Sequence, residues 1–414
     1  MVGTDIRNGL GAAALILLCA SAVPLAAPGE ALVPGSIDGA PGWLLGPYGD
    51  GLGVGGGTYL AAMIAAFVAY LAVVLWSGSL GRSVVWGAIV VLVAAFALAP
   101  PLLSLDVFSY ISYARLGADH GLNPYDAVPA DLVADPAGDR VEDFRFAVSA
   151  YGPLFTIATY PLGVTSVAFA LWALKAAAAL AVLGVAGLTA RLASVRGASP
   201  RAAATFVALN PLVLVHVVGG AHNDALMALV LVAGAVALVA GLDASAGGGL
   251  VAAAAVKAAG VFAAPFALLG AKRRARLLTG AAVALAAVVA VGLAVFGGDV
   301  ANAIGIIGEN QSTASHYSVP STVARIAGIG IDPVRAVFGV AYAALIGWLL
   351  VWTWRGGDWL RAAAWAGGGL LAASAWLVPW YVIWALPFAA VARDRAVALL
   401  VVAVCALQLP TAIP

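Results

Sequence analysis

Apolar runs separated by short polar connections recur along the whole chain. They fall at about 9–27, 58–76, 83–103, 164–188, 201–218, 224–241, 249–270, 277–296, 334–354, 360–378, 380–392 and 396–412. A helix needs ~20 such residues to cross the ~30 Å of hydrocarbon in a bilayer. No stretch shows the strand-length alternation of a membrane barrel. In lipid each segment must satisfy its own backbone polar groups, so the runs predict helices. The expected fold is an all-α polytopic membrane protein with about 11–13 transmembrane helices. Two runs are irregular: 380–392 is short, and 249–270 is interrupted by Lys257 and Pro265.

Composition sharpens this picture. Hydrophobic residues make up 64% of the 414 positions and charged residues only 9%, against about 25% charged in soluble domains. The mean hydropathy is +1.04. So few charges cannot cover the surface of a water-soluble fold of this size. A soluble enzyme, a nucleic-acid binder and a disordered scaffold are therefore excluded, and the formal net charge of +1 leaves no overall basic excess for nucleic acid. Cys19 and Cys405 both sit in apolar runs, which argues against a disulfide framework or a zinc site. The 49 glycines suit close helix packing.

The charges also predict orientation. Arg7, Arg82, Arg191, Arg196, Arg201, Lys272, Arg273, Arg274, Arg276, Arg355, Arg361, Arg393 and Arg395 fall in short connections on one side, which the positive-inside rule makes cytoplasmic. Most acids, including Glu30, Asp38, Asp50, Asp106, Asp135, Asp224, Asp299 and Glu309, fall on the other. A simple crossing by 249–270 would put Lys272–Arg276 outside, so this run is expected to be re-entrant or broken, lining a cavity. Residues 1–27 read as a retained anchor in preference to a signal peptide, with a Gly- and Pro-rich outer loop over 28–57.

Two outer loops are long, 104–163 and 297–333, and long loops in compact folds are commonly functional. The first opens Ser104-Leu105-Asp106-Val107-Phe108-Ser109-Tyr110-Ile111-Ser112-Tyr113-Ala114-Arg115. On a helix, Asp106, Ser109, Tyr110 and Tyr113 share one face. The plainer reading is an N-capping Asp with tyrosines in the aromatic belt. Asn123-Pro124-Tyr125 signals a turn, and Tyr151-Gly152-Pro153 the start of a second short helix. Ionisable residues within spans are costly and are functional suspects. His222-Asn223-Asp224 lies at the outer end of one span, Lys257 within another and Lys175 within a third. Asp224 and Lys257 are candidate partners. The alternatives are a polar cap on the next helix for 222–224, and snorkelling or a packing pair for Lys175, which is the reading preferred there. Glu309, His316, Tyr317 and Arg325 lie in the second long loop, without metal-site spacing.

The order of these motifs is informative. Ser-Leu-Asp-Val-Phe-Ser-Tyr at 104–110, Gly-Leu-Asn-Pro-Tyr at 121–125 and Tyr-Gly-Pro-Leu at 151–154 come first. Asn210-Pro211, Gly-Gly-Ala-His-Asn-Asp-Ala-Leu-Met at 219–227, Val256-Lys257 with Pro265, and Pro-Trp-Tyr-Val-Ile-Trp-Ala-Leu-Pro at 379–387 follow. The series resembles the polyprenol-phosphate-mannose-dependent α-1,6-mannosyltransferases of actinobacteria, within the GT-C superfamily of membrane glycosyltransferases. The resemblance covers roughly residues 83 to 392. It implies N-terminal spans and an outer loop over 1–82, a GT-C-like catalytic membrane domain over 83–392 and a C-terminal span over 393–414. It also implies short interfacial helices in the first outer loop, with Asp106 at the position of the family's acidic residue.

The implied reaction is an inverting transfer of mannose from a polyprenyl-phosphate donor to a glycan or glycolipid acceptor at the outer face of the plasma membrane. Asp106 is the expected general base, because a carboxylate serves when it lies within ~3 Å of the acceptor hydroxyl. Departing phosphate needs cations or donors, for which Lys257, Arg115, His222 and Arg325 are the candidates. Tyr110, Tyr113, Asn123, Tyr125, Tyr151, Asn223, Asp224, His316, Trp380 and Tyr381 are candidate substrate contacts, and Tyr110, Tyr113 and the Trp-rich segment Trp376–Trp384 are candidates to stack on sugar faces, with the aromatic belt as the alternative. No cofactor is implied and no metal cluster is visible. The rival readings are a transporter or lipid-linked sugar flippase, which would show matching broken helices in two halves, and an inactive assembly subunit.

Overall fold

A computed structural model of the chain describes residues 2–29, 41–49 and 51–413. Glu30, Asp38 and Asp50, assigned above to an outer loop, lie outside the described residues, as do the side chains of Arg7 and Glu309. The described residues form helices and turns, without strands. Helices α1 (Val2–Ala26) and α2 (Gly56–Trp76) pack along each other, and α3 (Arg82–Ala97) leads to the first long loop. That loop folds as two short helices, α4 (Asp106–Ala118) and α5 (Pro153–Gly163), packed together. The bundle continues through α6 (Val167–Val195), α7 (Pro200–Ala208), a π-helical turn (Val213–Gly219), α8 (Asp224–Val239), α9 (Asp243–Val256), α10 (Ala264–Gly270) and α11 (Arg274–Phe296). Helices α12 (Asn302–Ser312) and α13 (Val319–Ala327) fill the second long loop. They precede α14 (Ile331–Trp354), α15 (Trp359–Ala373), α16 (Val382–Val391) and α17 (Arg395–Gln408).

Among the described residues, five helices are long and apolar enough to span a membrane: Asn8–Ala26, Gly56–Trp76, Val167–Val195, Arg274–Ile306 and Ile331–Trp354. Six more apolar helices are shorter, because the chain breaks where the hydropathy pattern does not. The run predicted over 201–218 divides into α7 and the π-helical turn, bent by 62°. The cause is local. Pro211 has no N–H to continue the ladder and disfavours a helical Asn210 before it, and the Asn210 side chain accepts from Leu212 N–H at 2.9 Å. Helices α11 and α14 expose Val283, Leu285, Val289, Val337, Val340 and Trp348. Apolar faces of that size are stable only against hydrocarbon or a partner.

The interrupted run at 249–270 is a hairpin that begins earlier than predicted, at Asp243. Helix α9 ends at Val256, Lys257 is extended (φ −151°, ψ 128°), and a 3-10 turn at Ala258–Ala263 feeds α10. Pro265 sits in the first turn of α10, where a missing N–H costs nothing. The legs nearly touch: a Cβ on Gly260 would lie 2.8 Å from the Ala253 carbonyl carbon. The chain returns to where it started, since Arg273 N–H donates to Asp243 Oδ1 at 3.4 Å. Gly270 lies against the Trp359 ring, which would crowd any added Cβ.

This return gathers the basic connections at one end of the bundle. Arg196 pairs with Asp358 and Arg361 with Asp394 at 2.6 Å. Arg393 donates to the Arg196 carbonyl at 3.1 Å and Arg201 to that of Leu80 at 2.5 Å. Lys272 to Arg276 join the same end through Asp243 and Trp359. Helices α4 and α5 and the tip of the hairpin lie at the opposite end. Gly152 locks them together: its N–H donates to Val256 O at 3.1 Å, and a Cβ there would fall 2.0 Å from Ala255 O.

Lys272→Cys and Arg355→Cys are therefore expected to react with a membrane-impermeant maleimide from one side of sealed vesicles, and Leu122→Cys from the other. Labelling of Lys272→Cys together with Leu122→Cys would show that 243–270 crosses once.

Candidate active site

Asp106 is the first residue of α4, and Ser104 Oγ accepts its N–H at 3.3 Å. The positive end of the helix dipole favours a carboxylate there. The N-cap itself is Leu105, with no side-chain cap, so Asp106 does not fill the capping role that composition offered. Its side chain is 16% exposed. The rest of the predicted face turns inward. Tyr110 meets Tyr151 edge-on at 4.9 Å and Phe155 at 5.1 Å, and Tyr113 meets Tyr151 at 6.2 Å while donating to Ala147 O at 2.9 Å. These rings join α4 to α5. The buried Tyr110 hydroxyl has no hydrogen-bond partner among the described residues.

The second arm of the site is the turn between the π-helical segment and α8. Gly219 is pressed by Leu102, and a Cβ on Gly220 would lie 2.5 Å from His216 O. Ala221 adopts φ +57°, which a residue with a Cβ seldom occupies. Lys175 is fully buried and donates to Gly219 O at 2.5 Å and Phe96 O at 3.3 Å. It thus fastens the end of α3, ahead of Asp106, to the turn that presents His222, and it packs without snorkelling. His222 is fully buried, stacks on Trp380 at 3.7 Å and 14°, and places Nδ1 3.4 Å from Asp106 Oδ2.

Asp224 and Lys257 are partners. Lys257 Nζ donates to Asp224 Oδ2 at 2.8 Å, and Trp384 Nε1 donates to Oδ1 at 2.6 Å. Lys257 also lies over the rings of Tyr381 (4.9 Å) and Trp384 (5.8 Å), which stack on each other at 3.9 Å. One carboxylate, on Asp224, is thus engaged at both oxygens and fully buried, while the other, on Asp106, is partly open.

The structure therefore brings Asp106, Tyr110, Tyr151, His222, Asn223, Asp224, Lys257, Trp380 and Tyr381 into one cluster, with Tyr113 at its edge. Other candidates serve elsewhere. Arg115 lies nine residues along α4, ~13 Å from Asp106 at 1.5 Å per residue. It is held by Asp135 (2.6 Å), Asp119 (2.9 Å) and Gly163 O (3.1 Å). Asn123 donates to Phe296 O at 2.7 Å and Asp299 at 2.9 Å, and accepts from Tyr125 N–H at 3.1 Å. The Tyr125 hydroxyl donates to Tyr151 O at 2.8 Å. These residues anchor the first outer loop. Arg325 donates to the His316 carbonyl, and both line a separate open pocket with Ser321 and Ile329.

Trp384, at the end of the Trp-rich segment read as stacking on sugar faces or lying in the aromatic belt, gives its indole N–H to Asp224. His216 was missed by sequence reasoning. His216 is fully buried, with neither ring nitrogen hydrogen-bonded among the described residues, and its placement depends on a π-helical turn with no clear sequence signature. Among the described residues no group of three or more His, Cys, Asp or Glu side chains is arranged to hold a metal ion.

Residues 7–273 match the family model described as "Alpha-(1->6)-mannopyranosyltransferase, N-terminal domain". The chain is 30% identical over 159 residues to an alpha-(1->6)-mannopyranosyltransferase of Mycobacterium tuberculosis, covering 35% of this chain and 26% of that protein. It is 31% identical over 156 residues to a probable alpha-(1->6)-mannopyranosyltransferase of Mycolicibacterium smegmatis, covering 36% and 27%. It is 29% identical over 133 residues to alpha-(1->6)-mannopyranosyltransferase A of Corynebacterium glutamicum, covering 31% and 27%. The aligned stretch thus spans only 26–27% of the length of these curated relatives. No solved structure matches the chain.

The loop anchor at Asp135 yields a pH prediction. Burial disfavours its charged form, but hydrogen bonds from Arg115 and from the N–H groups of Gly138 and Ala137 outweigh this and hold the carboxyl below its ordinary value. A depressed folded pKa means that the stabilisation is complete above the unfolded value, ~3.9, and is lost as pH falls through the lower folded one. Asp135→Asn is expected to destabilise the loop by about 1–3 kcal/mol at neutral pH. The measurement is faster amide exchange across 128–145 at pH 7, with the gap to wild type closing in acid.

Proposed function

Because this chain belongs to the alpha-(1->6)-mannopyranosyltransferase family, matched over residues 7–273, we propose that it is an inverting membrane mannosyltransferase. In this reading the donor is a polyprenyl-phosphate mannose, the acceptor an outer-face glycan or glycolipid, and Asp106 the general base. The acceptor hydroxyl oxygen attacks the anomeric carbon and its proton passes to Asp106. The bond from that carbon to the phosphate oxygen breaks, and the polyprenyl phosphate leaves with the electron pair. Lys257 is the cation within the cluster. Asp224 takes one of its N–H directions, and those remaining serve the phosphate. Tyr110, Tyr151, Asn223, Trp380 and Tyr381 surround the sugar.

The observation that carries the assignment of the base is the contrast between the two carboxylates. Asp224 is fully buried and engaged by Lys257 and Trp384. It has no oxygen to spare. Asp106 is partly exposed, and among the described residues His222 is the one basic side chain within ion-pair distance of it. A base must present a free oxygen to the proton it takes, and Asp106 alone of the two does so. In this reading the basic end is cytoplasmic, in keeping with the positive-inside rule, and Asp106 works at the outer face of the plasma membrane.

The test is transfer of radiolabelled mannose from polyprenyl phosphate by purified full-length protein. Asp106→Asn is expected to lower turnover by about 10²–10⁴-fold while the protein stays folded. Turnover within about tenfold of wild type would remove Asp106 from the role. Movement of labelled lipid across vesicles without a new glycosidic bond would favour a transporter instead.

A further inference from the structure

Resting on that reading, we propose that His222 is the positioning residue of Asp106 and not a ligand of the donor phosphate. Its imidazole fixes one carboxylate oxygen, so that the other is aimed at the incoming hydroxyl.

The contact has a direction. His222 Nδ1 lies 3.4 Å from Asp106 Oδ2. An ionised carboxylate only accepts hydrogen bonds, so the nitrogen facing it carries the proton. The separation is long for a full hydrogen bond, as catalytic contacts commonly are before substrate binds and tightens them. Neither ring nitrogen has a hydrogen-bond partner among the described residues, so no other acceptor holds the donor, and the contact with Asp106 is an approach at 3.4 Å short of a formed hydrogen bond. Oδ2 is the atom engaged, which leaves Oδ1 for the acceptor.

The ring cannot turn away to serve a phosphate. Trp380 covers one face at 3.7 Å, nearly parallel, and the side chain is fully buried. On the other edge the main chain closes in: a Cβ on Gly220 would sit 2.9 Å from both Nε2 and Cδ2. The Nε2 edge therefore faces the Gly220 backbone within a fully buried side chain.

The mount of the ring is built at a cost. A π-helical turn at Val213–Gly219 is a rare element, found mostly at functional sites. Ala221, immediately before His222, holds φ +57°, a strained conformation for a residue with a Cβ. Lys175 clamps Gly219 O and Phe96 O, so the segment bearing the imidazole and the segment leading to the carboxylate share one fastening point. These features all fix the separation of His222 from Asp106.

The experiment compares His222→Asn, His222→Gln and His222→Phe in the full-length protein with polyprenyl-phosphate mannose. The Asn amide nitrogen falls near the position of Nδ1, whereas the Gln amide reaches toward Nε2. Phe keeps the stack on Trp380 without a donor. His222→Phe and His222→Gln are expected to lower kcat by about 10–100-fold, as small misplacements of a reacting group do. KM for the donor should stay within about threefold, since binding is not what is lost. His222→Asn should recover most of kcat. Equal or better activity of Gln relative to Asn overturns the proposal, and that comparison decides even if the Phe variant fails to fold. A rise in donor KM with kcat intact overturns it in favour of phosphate binding. Asp106→Asn in the same assay separates the two ideas. An active Asp106→Asn variant refutes the base itself, whereas an inactive one alongside an unimpaired His222→Gln refutes only the role of the histidine.

Discussion

A buried charge must be answered by another, and here Lys257 at the tip of a broken hairpin answers Asp224 at the start of α8. Removing one member of such a pair leaves the other unpaired in a low-dielectric interior, at a cost of about 3–5 kcal/mol. The pair is reinforced by the Trp384 indole and by the ring of Tyr381 below the ammonium. Four segments far apart in sequence thereby meet at one point: the 219–224 turn, the hairpin, the start of α16 and, through His222 and Trp380, the start of α4. The position of Asp106 follows from this knot more than from anything in its own helix.

Much of the architecture was legible because hydropathy and charge are local properties. The apolar runs predicted the helices, Lys257 and Pro265 marked the interruption, and the distribution of arginines marked the end that the ion pairs Arg196–Asp358 and Arg361–Asp394 now occupy. Asp224 and Lys257 were recognisable as partners because a membrane interior leaves a lone charge few alternatives. What stayed hidden depended on long-range packing. Asn123 reads as a turn residue, yet its amide reaches Phe296 and Asp299 across more than 170 positions. Arg115 reads as a free cation on the helix that Asp106 begins until Asp135 and Asp119 are seen to claim it. The kink at Asn210-Pro211 has a local signal that the uninterrupted hydropathy around it obscured.

The matched family region ends at residue 273. It includes Asp106, His222, Asp224 and Lys257, the polar half of the cluster. Trp380, Tyr381 and Trp384, which cover the imidazole, support the ammonium and bond the second carboxylate, lie beyond it. The later part of the chain therefore supplies the rings that meet the imidazole, the ammonium and the second carboxylate, beside the tyrosines of α4 and α5. Indole and phenol rings suit this task, since they pack against apolar neighbours while an N–H or a π-face meets a charge.

The return of the chain at Lys257 also governs parity. Each full pass of a helix reverses the end at which the next begins, and a hairpin reverses nothing. Had residues 243–270 passed straight through, every later helix would run upside down. Trp380 and Trp384 would then stand among the arginines, a bundle's length from Asp106. Two half-length legs preserve the count, so the tryptophans of the last third of the polypeptide arrive on the correct side.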